Sequence, residues 1–97
     1  MSTGERKKKA CQLRIEGRVQ GVGFRYSAIH AARRYGVYGW VRNEYDGSVT
    51  AFCEGDEPAV DLFVDWCRSG PSGAFVTDLE VFPRTFQNRY NSISIAH

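Results

Sequence analysis

Three cysteines, three prolines, two histidines and one methionine are all that the 97 residues hold of those types, and each scarcity excludes something. Cys11, Cys53 and Cys67 are an odd number at no metal-ligand spacing, so neither a disulfide framework nor a zinc site organises the chain. Reduced, buried thiols are expected. With His30 and His97 far apart and no Asp-x-Asp pair, metal-assisted and aspartyl-nucleophile routes lack their usual groups. A cysteine phosphatase loop fails too: six positions beyond the cysteines stand Gly17, Ala59 and Gly73, where that loop needs Arg. No apolar run approaches the ~18 residues of a membrane span. The first residues also lack the apolar stretch of a secretion signal, so the chain reads as soluble and cytoplasmic.

Lysine is absent beyond position 9. The first nine residues carry four basic side chains against one acid, and the remainder nine basic against ten acidic, so the overall +2 is a property of the N-terminus. A specific nucleic-acid partner, which needs a basic stripe on the folded body, is therefore not expected. Any anion clamp in the body has to use Arg or backbone amides. What the chain does have is 42% hydrophobic and 13% aromatic residues, enough for one core without staples. Residues 1–9 read as a flexible basic tail and 10–97 as a single domain.

Alternation of Cys11, Leu13 and Ile15 with Gln12, Arg14 and Glu16 gives a strand with one buried face. Gly17, Gly21 and Gly23 punctuate a loop, after which Phe24, Ala28, Ala31, Ala32 and Tyr35 take helical spacing up to a stop at Gly36. Tyr38 to Asn43 and Ser48 to Glu54 read as a hairpin about Asp46-Gly47. Asp56 is a candidate cap for a second helix, striped by Ala59, Phe63, Trp66 and Cys67 and ended by Gly70-Pro71. A fourth strand holds Phe75, Leu79 and Val81, and Ile93 and Ile95 mark a short fifth. The order β-α-β-β-α-β plus a terminal strand is an α+β, ferredoxin-like sandwich, with two helices on one face of an antiparallel sheet. That fold hosts unrelated functions, so function rests on a site.

The informative stretch runs from Gly17 to Arg25 (Gly-Arg-Val-Gln-Gly-Val-Gly-Phe-Arg) and joins a strand to a helix N-terminus. Successive amides there can form an anion nest, reinforced by the helix dipole, with Arg25 placed to bind two phosphate oxygens. It lacks the Lys-Ser/Thr ending of a Walker loop and the third glycine of a dinucleotide fingerprint. Together with Gly39-Trp-Val-Arg-Asn43 and Asp46-Gly-Ser-Val49, this stretch resembles the two signature segments of the acylphosphatase family. The resemblance extends over nearly all of residues 10–83 and is weakest at the C-terminus, where an aromatic-rich strand is replaced by Asn91 to His97.

The resemblance implies hydrolysis of the carboxyl-phosphate anhydride of acyl phosphates, by in-line attack of water, without metal or cofactor. It implies that Arg25 binds the phosphoryl group and Asn43 positions water, as catalytic residues. Gln20, Gly21, Val22, Gly23, Phe24 and Arg25 would form the phosphate-binding loop, for an acyl phosphate or for inorganic phosphate, in a monomer. A carbamoyl-phosphate-handling or non-catalytic anion-binding module of the same type is the runner-up. An RNA-recognition module of this fold needs a series of aromatics on two central strands, and here the third strand has only Phe52 and the first none. Arg18 reads as solvated, Arg42 as ion-paired, His30 as a helix-surface residue, and Trp40, Trp66, Phe63 and Phe24 as packing.

Overall fold

A computed structural model describes residues 7–97. The first strand, β1 (Lys8–Arg18), leads to helix α1 (Phe24–Tyr35), the hairpin β2 (Tyr38–Asn43) and β3 (Val49–Asp56), helix α2 (Glu57–Ser69), β4 (Phe75–Arg84) and a short β5 (Ile93–Ile95). The sheet order is β4-β1-β3-β2-β5. Cys11, Leu13 and Ile15 stand opposite Cys53, Ala51 and Val49, which stand opposite Gly39, Val41 and Asn43. Strand alternation thus aims one row from each central strand at the helices, where Phe24, Ala28, Ala31 and Ala32 of α1 and Val60, Phe63, Val64 and Cys67 of α2 close the core. Each fully buried Leu, Ile or Phe contributes about 1.5–3 kcal/mol of transfer free energy, so this layer dominates stability.

Three expectations are corrected. The sheet is mixed, not wholly antiparallel: β5 runs parallel to β2, Gly39 opposite Ile93 and Val41 opposite Ile95. The cause is the route of the chain, which leaves β4 on one edge and reaches the far edge through residues 85–92 before turning upward. Strand β1 also starts earlier than the alternation suggests. Lys8 and Lys9, expected in the tail, are strand residues opposite Asp56 and Gly55, and their ammonium groups pair at 2.6 Å with Asp56 and Asp61. The rest of the expected tail, residues 1–6, lies outside the described residues. Finally, Asp56 does stand at the N-cap of α2, but its carboxylate makes no capping hydrogen bond and takes the Lys8 ammonium.

The crossing segment is tied to the sheet face away from the helices. Glu54, only 1% exposed, accepts hydrogen bonds from the Gln87 amide at 2.8 Å and the Arg89 amide at 3.2 Å. Tyr90 packs on Phe52, which Trp40 stacks against. At the other end of the sheet β1 passes into the loop before α1, with its register against β4 shifting between Glu16 and Gly17. Gly17 is obligatory there: its φ is +124°, and a Cβ would lie 2.1 Å from the Phe75 carbonyl oxygen.

Candidate active site

The loop between β1 and α1 reverses the chain with Gly21 and Gly23 both left-handed, at φ 75° and 76°. Gly23 is also the cap of α1, and the backbone amides that follow have no helical acceptor. Val19 and Phe24, 1% and 2% exposed, anchor the two ends of the loop in the core. The Val22 side chain packs against that core as well, so what the loop offers outward is main chain and the flanking side chains. No acidic residue occupies the first turn of α1, and the positive end of the helix dipole is left uncompensated by side chains.

Arg25 follows in that first turn. It is half-buried and makes neither an ion pair nor a hydrogen bond through its side chain with any described residue. By contrast Arg14 binds Glu16 and Asp46, and Arg42 binds Glu44 at 2.9 Å while lying 4.7 Å over the Trp40 ring. A guanidinium left unpaired amid neighbours that pair is free to take an external anion.

Asn43 arrives from the end of β2. Its Oδ1 is buried and accepts no hydrogen bond, a state that costs about 1–3 kcal/mol unless a donor is supplied. Asn43 and Arg25 line one cavity of about 230 Å³ with Gln20, Gly21, Gly23 and Phe24. Helix N-terminus and hairpin, distant in sequence, thus meet over the same space. Gln20 explains how they are held together. Its Nε2 donates to the Glu44 carbonyl at 2.8 Å and to the Ser48 carbonyl at 2.9 Å, clasping the loop to the base of the hairpin turn.

The turn itself is braced by Asp46, whose carboxylate accepts from the Ser48 amide at 2.9 Å and hydroxyl at 2.6 Å and from Arg14 at 2.6 Å. The Ser48 hydroxyl, then Arg14 and the Ser48 amide, hold that carboxyl well below the usual carboxylate range. Two residues not singled out from the sequence join the site. Tyr26 lines the Arg25 cavity, and His97 lines a larger one of about 640 Å³ that shares Gln20 and Asn43. Tyr26 sits beside Arg25 in the chain, but nothing in sequence spacing brings His97 to Asn43; the parallel β5 does. Arg18 is exposed and lines neither cavity, and His30 is on the helix surface. Among the described residues no cluster of three or more His, Cys, Asp or Glu could hold a metal ion, and no helix is long and apolar enough to cross a membrane.

The sandwich fold alone does not choose among functions, and comparison with known proteins supplies the family. The Acylphosphatase family model matches residues 11–95, and the chain belongs to that family. It is 51% identical over 80 residues to an acylphosphatase of Nocardioides sp., covering 82% of this chain and 81% of the relative. An acylphosphatase of Thermococcus kodakarensis is 52% identical over 75 residues, with 77% and 82% covered. The crystal structure of acylphosphatase from Bacillus subtilis superposes with a TM-score of 0.88 at 35% identity, over 92% of this chain and 99% of that one. Full-length HypF in its phosphate- and nucleotide-bound form also contains the fold, with a TM-score of 0.83 at 25% identity. It covers 98% of this chain but 13% of HypF.

Proposed function

We propose that this protein hydrolyses acyl phosphates to a carboxylate and inorganic phosphate by in-line attack of water, with Arg25 and Asn43 as its catalytic residues. The observation that carries the reading is the meeting, in one cavity, of a guanidinium and a buried amide oxygen that find no partner among the described residues. Phosphoryl transfer depends mainly on positioning and on stabilising the equatorial oxygens. The loop amides from Gln20 to Arg25 and the Arg25 fork supply that stabilisation. Asn43 Oδ1 accepts one O–H of the attacking water and so turns a lone pair toward phosphorus. It cannot take the proton as a base; a largely dissociative transition state asks little of one.

The leaving group fits this sparse equipment. A carboxylate has a conjugate acid of pKa ~4 and departs without protonation, whereas an alkoxide does not. Acyl phosphates are therefore turned over and phosphomonoesters are not. The test is phosphate release from acetyl phosphate in chelator-containing buffer, with Arg25→Ala and glucose 6-phosphate as controls. Chelator-insensitive release lost in the variant is the expected result; efficient turnover of glucose 6-phosphate would sink the leaving-group argument. The chain works as a monomer with phosphate or a similar anion filling the cradle, and its three free, buried thiols support a reducing, cytoplasmic setting. A second reading is a module that handles carbamoyl phosphate; the fold also forms part of HypF, which was solved with phosphate and nucleotide bound. Turnover of carbamoyl phosphate with acetyl phosphate left intact would select it.

A further inference from the structure

We propose that Cys11 and Cys53 form a covalent modification site, a dithiol that a small hydroperoxide oxidises to an intrachain disulfide across the centre of the sheet. The two residues are directly opposed on the antiparallel pair β1 and β3, and both side chains point to the helix layer, 1% and 0% exposed. Their sulfurs lie 3.3 Å apart, and the Cys53 sulfur is also 3.6 Å from the Cys11 carbonyl oxygen. Directly opposed antiparallel residues have Cα separations of about 4.5 or 5.5 Å, and both fall in the disulfide range of about 4.4–6.8 Å. The bond at ~2.05 Å then needs only a small closing of the two side chains.

Access and asymmetry are both built in. Cys11 is in the wall of a cavity of about 220 Å³ at the edge of α2, together with Lys9, Asp61, Val64, Arg68 and Val81, a space large enough to admit a peroxide. The hydrogen bond from Cys53, and the Lys9 ammonium, hold the Cys11 thiol below its ordinary pKa against the effect of burial. The same hydrogen bond and burial push Cys53 up. Cys11 is therefore the nucleophile and Cys53 the resolving thiol. In the first step the Cys11 thiolate attacks one peroxide oxygen, the O–O bond breaks, and hydroxide leaves with Cys11 as a sulfenic acid. In the second the Cys53 sulfur attacks Cys11, the S–O bond breaks, and the hydroxyl leaves with the Cys53 proton as water. Two thiols and one hydrogen peroxide give one disulfide and two waters. Cys67 shares the buried cluster, but burial raises its thiol pKa and it has no sulfur partner in contact.

The bridge would span 42 positions and enclose every candidate site residue from Gln20 to Asn43 without touching one. The test is treatment of the folded full chain with hydrogen peroxide, followed by denaturation, alkylation and peptide mass analysis. Expected is a fall from three alkylatable thiols to one, a loss of about 2 Da and a single linked peptide pair holding Cys11 and Cys53. The oxidised chain should unfold at higher urea, because the closed loop restricts the unfolded state. Cys67→Ala should behave as wild type, and Cys53→Ala should give no linked peptide. Three thiols still alkylatable, a link through Cys67, or over-oxidised Cys11 without a link would each overturn the proposal; the wild-type chain decides it even if Cys53→Ala does not fold.

Discussion

The roles proposed for Arg25 and Asn43 differ, so their replacements should fail differently. Arg25→Ala removes the main charge facing the equatorial oxygens, so kcat/KM for acetyl phosphate should fall by about 100-fold to 1000-fold, and KM should rise. Arg25→Lys should recover only part of this, since a point charge cannot grip two oxygens at once. Asn43→Ala should lower kcat with KM nearly unchanged, because water and not substrate loses its holder; a KM effect equal to that of Arg25→Ala would refute the division. The same replacement relieves a buried oxygen that has no donor, so the protein should be no less stable in urea. Arg25 and Asn43 could be singled out in the sequence because each ends a short motif of distinctive letters, and the fold brings both to one cavity. Gln20 was legible as part of the loop, but its double bond to the hairpin was not, since it depends on two carbonyls that only the folded turn brings within reach.

Helices and strands set those residues in place, and the hairpin turn is the element most exposed to perturbation. Gln20→Ala should cost about 1–2 kcal/mol in urea and lower kcat/KM roughly tenfold by loosening the loop from the turn, with Gln20→Glu no substitute because two carbonyls need a donor. Asp46 offers a pH signature. Its folded pKa is depressed, so its stabilising contribution is present above the unfolded value near ~3.9 and is lost as pH falls toward the folded one. Asp46→Asn should therefore lower the urea midpoint relative to wild type at about pH 7, by an amount that is clearly smaller at about pH 2 and shrinks further as the pH falls toward the folded pKa. A gap of constant size at both would assign the brace to packing instead. Both helices and the hairpin can be read from local periodicity and punctuation, and the Phe24–Tyr35 and Tyr38–Asn43 limits agree with the spacing. The direction of β5 and the early start of β1 could not be read that way. Each is fixed by a partner dozens of residues away, which alternation along one strand does not encode.

Glu54 holds the molecule together at the end away from the site. It lies in β3 between Cys53 and Gly55 and is buried because the crossing segment lies over it and gives it two amides. Glu54→Ala strands those donors and should cost about 3 kcal/mol in urea unfolding, with kcat little changed because Arg25 and Asn43 stand at the opposite end. A large loss of turnover at full stability would show that the crossing segment reaches the site through β5. The fold class was legible from element order alone, since few sandwiches accommodate that order.

The placement of β1 has a consequence for synthesis. The first strand of the domain occupies an inner position, between β4 and β3, and its edges are filled only by segments that follow it in the chain. A nascent chain that ends before Phe75 leaves the whole length of β1 unpaired on one side. The loop before α1, just downstream of that strand, is thus made early in the domain while the sheet beside it is completed late.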